Sequence, residues 1–279
     1  RVDEDRDRVF LGRDEVAPRF RVLDSTDPDA VRAALARAST SLFIIASKSG
    51  TTIEPNAMAV AAQQRLEAAG ISAWGSRWVA ITDDQTPLHR RALDDHFLDV
   101  FVNPSDVGGR YSALTFFGLV PAALMGIPLG PIVERARAMV EACRSDDPRT
   151  NPGVALGALM GAAVETSRDK LTLLVPDRLA PFGLWVEQLV AESTGKERAT
   201  GTRTGIVPIT GGGSNLAIAD DRMAVAVRVG GEGPDESAIA RVKAARVPLI
   251  TIDIPDLRSL GAEFFRWEIA TATAGRLLD

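Results

Sequence analysis

Short apolar runs alternate with longer helix-like runs along most of this chain, and that alternation constrains its fold more than any other feature. Leu42-Phe43-Ile44-Ile45-Ala46 is continuously apolar, the pattern of a central parallel strand buried on both faces. A Ser/Thr/Gly loop follows it, and then a helix-like run to Ala69. Trp78 to Thr82 reads as a second strand, Pro87 to Asp94 as a helix, and Leu98 to Val102 as another strand. Upstream, Asp27 is placed to cap a helix over Asp29 to Ala38, with Pro28 in its first turn.

The same rhythm resumes after an interruption at Arg144 to Pro152, where Asp146, Asp147, Pro148 and Asn151-Pro152 break the helical pattern. Helices are expected at Gly153–Glu165, Asp177–Glu192, 235–245 and 258–276, and strands at Lys170–Val175, Met223–Val229 and Pro248–Ile254. The expectation is an α/β protein of two units, 1–148 and 149–279, each a parallel β-sheet with helices on both faces. Functional loops in such sheets follow the carboxyl ends of the strands. Loops 47–52 and 107–110 both follow strands, so both should reach one rim.

Tyr111 to Gly130 is free of charge over twenty residues, long enough to span a bilayer. Pro121, Pro128 and its glycines interrupt it, and a buried helix is the expected reading rather than a membrane span. The charged stretch Arg1 to Arg8 does not read as a secretory signal. Net charge is −5, and no Lys/Arg-rich stretch carries interleaved aromatics, which argues against a nucleic-acid partner. The single cysteine, Cys143, has no intrachain disulfide partner and fits a reducing cytoplasm. His89 and His96 are the only histidines, and no Cys/His set has the spacing of metal ligands, so no metal is expected. Gly211-Gly212-Gly213 lacks the spacing of a dinucleotide fingerprint, and no cofactor is expected there.

Three constellations could carry chemistry. Ser47-Lys48-Ser49-Gly50-Thr51-Thr52 places four hydroxyls and a glycine between a strand and a helix start, a suitable cradle for a phosphate dianion. The same residues also read as a plain helix cap, with Thr51 and Glu54 as a capping box and Pro55 in the first turn. Gly108-Gly109-Arg110-Tyr111-Ser112 allows backbone close to a ligand and a guanidinium at the rim, or is simply a loop with a solvated arginine. Trp185, Gln188, Leu189 and Glu192 share one helical face, which Gly195 is placed to end. Apolar neighbours and the negative end of the helix dipole should raise the Glu192 pKa toward that of a working base. A surface glutamate at a helix end is the competing reading.

Together these motifs resemble the glucose-6-phosphate isomerase family, in the family's order and over some 150 residues from Ser47 to Lys196. The hydroxyl loop with Glu54 looks like the family's phosphate loop. Gly108 to Ser112, with the following Gly118-Leu119 and Pro121-Ala122, looks like its arginine loop. Gln188 with Glu192-Ser193-Thr194-Gly195-Lys196 looks like the segment that holds its base. Leu23 to Pro28 and Glu263-Phe264-Phe265-Arg266-Trp267-Glu268 look closest to the isomerase half of transaldolase–isomerase fusions.

The resemblance implies two sugar isomerase (SIS) units, each a three-layer αβα sandwich. It also implies interconversion of glucose 6-phosphate and fructose 6-phosphate through a cis-enediolate without metal, by a cytoplasmic homodimer. By matched position, Ser47, Ser49, Thr51 and Thr52 would hold the phosphate, with backbone help at Lys48. Gly109 would line the substrate, Arg110 would stabilise the enediolate, Gln188 would orient substrate or water, and Glu192 would move the proton. The family's upstream Gly-Gly-Ser loop has no match before Asp24, and its ring-opening histidine has none after Glu192. Its late lysine would fall beyond Asp279, so reduced turnover is expected of this chain. Two other readings stay open: a non-catalytic sugar-phosphate-binding SIS module, and a different sugar-phosphate isomerase.

Overall fold

The computed structural model describes residues 19–197, 203–211 and 218–279. Arg1 to Arg8, Gly212 and Gly213 lie outside them. Contacts divide the chain into two units, one ending at Ile127 and the other beginning at Pro128.

In the first unit, Asp27 Oδ1 accepts from Asp29 N at 3.0 Å and Ala30 N at 2.9 Å, and so caps α1, Pro28–Ala34. The helix is shorter than its pattern suggests, because the chain tightens into a 3₁₀ turn over Leu35–Thr40. Then follow β1 (Phe43–Ala46), α2 (Ile53–Ala68), β2 (Trp78–Asp83), α3 (Pro87–Asp94) and β3 (Asp99–Asn103). The strands are parallel in the order β1-β2-β3. Among the described residues β2 is therefore the central strand, buried along its whole length, and β1 is not as its apolar run suggested. Ala59, Ala62 and Leu66 of α2 pack with Leu88 and Ala92 of α3 against Ile45, Trp78 and Ala80 of the sheet. Leu66 is fully buried there, and truncating it to Ala would cost about 2–5 kcal/mol.

The uncharged stretch 111–130 is not one buried helix. It forms α4 (Phe116–Leu124) and the start of α5 (Leu129–Ala142). Gly126 at φ +78° turns the chain out of α4, with Gly126 N bonded to Ala123 O and Ile127 N to Ala122 O. Pro128 then stands just before α5, with no side-chain capping bond. No residue of α4 is fully buried. Among the described residues, no helix is long and apolar enough to cross a membrane.

The second unit contains α5, α6 (Pro152–Glu165), β4 (Lys170–Leu174) and α7 (Ala180–Thr194). A short antiparallel pair, β5 (Lys196–Glu197) and β6 (Arg203–Thr204), precedes β7 (Val207–Thr210). Last come β8 (Arg222–Val229), α8 (Glu236–Ala244), β9 (Leu249–Ile254) and α9 (Leu260–Leu278). Its sheet runs β7-β4-β8-β9, all parallel. The chain is thus an α/β protein whose two parallel sheets are flanked by helices.

The division between units precedes α5, whereas the expected boundary lay at 148/149. The reason is that α5 packs on α9. The 144–152 interruption is a tied turn inside the second unit. Asn151 Nδ2 donates to Cys143 O at 2.7 Å and Ser145 O at 3.0 Å, while its Oδ1 accepts from Val154 N. Along α6, Gly157 lets α9 approach so closely that an added Cβ would stand 2.3 Å from Ala270 O. On α9, Glu263 is buried, with Oε1 3.3 Å from Arg266 Nη2. Burial pushes its pKa up to about 7 against the opposing pull of Arg266, and burial pushes Glu268 up to about 8.

Candidate active site

In parallel neighbours every strand ends at the same edge, so the loops after β1 and β3 share the carboxyl rim of the first unit's sheet. Ser47 continues the ladder, its N–H donating to Ile81 O at 3.0 Å, and its side chain is buried. Ser49, Thr51 and Thr52 are exposed. Gly50 makes the turn possible. Its φ is +67°, and a Cβ there would lie 2.7 Å from Leu88 N.

The expected Thr51–Glu54 capping box does not form. Thr52, not Thr51, is the N-cap of α2, and it makes no side-chain capping bond. The hydroxyls are paired with one another and with the loop. Ser47 Oγ donates to Thr52 Oγ1 at 3.3 Å and accepts from Gly50 N at 3.2 Å, while Ser49 Oγ and Thr51 Oγ1 lie 2.8 Å apart. Asn56 Nδ2 closes the loop from inside α2, donating to Gly50 O at 3.1 Å and Thr52 O at 2.9 Å. Three exposed hydroxyls at the start of a sixteen-residue helix face the side where its dipole is positive. An anion is the ligand such a surface suits.

The arginine loop forms a 3₁₀ turn, Gly109–Tyr111, with Tyr111 N bonded to Gly108 O at 2.9 Å. Gly108 adopts ordinary extended backbone, and a Cβ at Gly109 would meet nothing within 4 Å. Neither glycine is demanded by the chain's own packing, which leaves room for a ligand against the backbone. Arg110 is half-buried beside it.

On the second unit's α7, Gln188 Nε2 donates to Glu192 Oε1 at 3.2 Å. Trp185 and Leu189 do not shield that carboxylate. Leu189 is buried, and Trp185 packs on Phe182 and Phe264 with ring centroids 5.7 and 4.8 Å away. Gln188 and Glu192 nevertheless remain exposed. The expected desolvation of Glu192 is therefore not met in this chain. Glu187, next to that pair, accepts from Thr210 Oγ1 at 2.6 Å and fixes α7 to the end of β7.

Two rim residues were missed by sequence reasoning, Asp83 and Asn103, which end β2 and β3 and are both buried. Polar residues closing otherwise apolar parallel strands were the available signal. Among the described residues, no three His, Cys, Asp or Glu side chains converge as a metal-binding group.

The family model for phosphoglucose isomerase matches residues 11–212, which includes the hydroxyl loop, the arginine loop and the Gln188–Lys196 segment. The chain belongs to the phosphoglucose isomerase family. Glucose-6-phosphate isomerase from Cyanothece sp. is 38% identical over 182 residues, 63% of this chain and 34% of that one. The enzyme of that name from Parasynechococcus marenigrum is 37% identical over 195 residues, 68% of this chain and 35% of its own. The chain thus spans about a third of the length of the curated relatives it matches. Among solved structures, a hypothetical protein from Thermus thermophilus superposes with TM-score 0.83 at 24% identity, covering 93% of this chain and 72% of that one. A glucose-6-phosphate isomerase from Chlamydia trachomatis superposes with TM-score 0.69 at 18% identity, covering 90% and 58%. Both share the fold of this phosphoglucose isomerase family member.

Proposed function

We propose that this chain supplies the phosphate site and the proton-transfer base of an aldose–ketose isomerase that interconverts glucose 6-phosphate and fructose 6-phosphate. The observation that carries the reading is the exposed hydroxyl loop at the start of α2, on the same sheet rim as the Gly109-Arg110 turn. Ser47, Ser49, Thr51 and Thr52 hold the phosphate, with the backbone at Lys48, and Gly109 lies against the sugar. Glu192 takes the proton from C2 of the open-chain aldose and returns it to C1, as the hydroxyl proton passes from O2 to O1, while Gln188 keeps the carboxylate oriented. Arg110 stabilises the negative oxygen of the enediolate between those two steps. The working assembly is proposed to be a homodimer in the reducing cytoplasm that the lone Cys143 fits.

The exposure of Glu192 favours one competing reading, a sugar-phosphate-binding module without catalysis. A coupled assay decides between them, with fructose 6-phosphate as substrate and a dehydrogenase reporting glucose 6-phosphate. Turnover by the complete gene product that Glu192→Gln removes supports the isomerase. Tight sugar-phosphate binding with no turnover in the complete product supports the module.

A further inference from the structure

The two rim loops are joined by side chains to which the catalytic reading assigns no role. Lys48 projects from the hydroxyl loop and its ammonium bonds the Asp83 carboxylate at the end of β2. The same ammonium donates to Ser105 O at 2.8 Å, in the loop that runs on to Gly108 and Arg110. The Lys48 carbonyl is also held, accepting from Asp83 N at 3.2 Å and from Thr82 Oγ1 at 3.3 Å. Asn103 is the in-register neighbour of Asp83 on β3, so the two side chains leave the same face of the sheet. Its Oδ1 accepts from Phe116 N at 3.1 Å, which pins the far end of the arginine loop at the start of α4. Asn103 is buried, and the Asp83 side chain is only 12% exposed, as a bearing point needs.

We propose that Lys48 and Asp83 form a positioning strut, extended by Asn103, that fixes the spacing between the phosphate loop and the arginine loop. The Lys48 ammonium serves the strut and not the phosphate. Charge complementarity explains the choice of residues: a cation reaching a carboxylate and a carbonyl at once locks two loops, where a neutral side chain of that length would lock neither. Holding the ammonium off the anion leaves recognition to short, geometrically exacting hydroxyl and amide donors. Asp83 Oδ1 and Asn103 Nδ2, an acceptor and a donor, have no hydrogen-bond partner among the described residues, so a bridging water or ligand hydroxyl would extend the same network.

The inference rests on the phosphate-loop reading only for the second of two measurements. The first is amide hydrogen exchange of the ligand-free chain. Lys48→Met and Asp83→Asn should speed exchange at Tyr111 and Ser112, further along the loop than Ser105, by about tenfold or more, and Lys48→Arg should restore it. Unchanged exchange at those amides overturns the strut, whether or not phosphate binds. The second is a titration with inorganic phosphate. Both single variants should weaken binding by similar factors, and the double variant should be no weaker than the worse single. If Lys48→Met weakens phosphate binding while Asp83→Asn tightens it, a freed ammonium is reaching the anion and the proposal is wrong. Wild-type chain that binds no phosphate refutes the phosphate-loop reading, and exchange still decides the strut. Should Lys48→Met fail to fold, Lys48→Gln and the isosteric Asp83→Asn give the same comparison.

Discussion

The Gln188 side-chain amide donates to Glu192 Oε1 across one turn of α7, at 3.2 Å, and both residues stand on the exposed stripe of that helix. An exposed pair of this kind contributes only a few tenths of a kcal/mol to the helix. Its significance is orientation, since a base held in one rotamer begins closer to the geometry that proton abstraction requires. Gln188→Ala should leave the melting temperature nearly unchanged and lower kcat by roughly ten- to a hundredfold with little change in KM. A KM effect without a kcat effect would place Gln188 in ordinary substrate binding.

Replacing Ser47 and Thr52 together by Ala removes the bonded hydroxyl pair that spans the phosphate loop. Calorimetric titration with a hexose 6-phosphate should show a loss of about 2–5 kcal/mol in binding, with the fold retained. Undiminished affinity would move the phosphate to another surface.

Gly50→Ala tests the loop's backbone. A side chain at φ +67° with its Cβ 2.7 Å from Leu88 N forces the turn to open, at a cost of about 2–4 kcal/mol. Thermal unfolding should shift down and anion affinity should fall with it. A variant as stable as the parent would show that the turn relaxes freely.

Glu263 and Glu268 give the second unit a defined pH response. Both carboxyls hold their protons more tightly when folded, at about 7 and about 8, than at the ordinary 4.5. Between those values the folded state binds more protons than the unfolded chain, so stability is full below pH 4.5 and declines as pH rises through 7 to 8. Glu263→Gln should flatten that decline and raise stability at pH 8 by on the order of 2–3 kcal/mol. Denaturant melts from pH 5 to 9 measure it, and an unaltered slope would show that Glu263 does not titrate there.

Much of the architecture was legible because local and tertiary signals agreed. The helix expected from Pro87 to Asp94 forms as α3, and the Thr86 hydroxyl caps it, accepting from His89 N at 3.1 Å. Strand β7 was not legible. Val207-Pro208-Ile209-Thr210 is short and contains a proline, which the sheet tolerates because β7 is its edge strand. The unit to which α5 belongs depends on packing against α9, far along the chain, and no local pattern announces such a contact. The motifs themselves were readable as residue types, but their geometry was not. That α2 starts without a side-chain cap, that Glu192 stays exposed on α7, and that Lys48 finds Asp83 thirty-five residues away are consequences of tertiary packing.

Solvent-deuterium exchange at C2 of the sugar tests the central claim most directly, because it follows the one proton that the proposed base must carry. Glucose 6-phosphate is incubated in heavy water with the complete gene product, and with its Glu192→Gln variant, which keeps shape and removes basicity. The account predicts exchange and turnover falling in parallel by roughly 10²–10⁴-fold, with affinity for the sugar phosphate little changed. Exchange and turnover that survive within a few-fold in the variant would contradict it, and Glu192 would then not be the base.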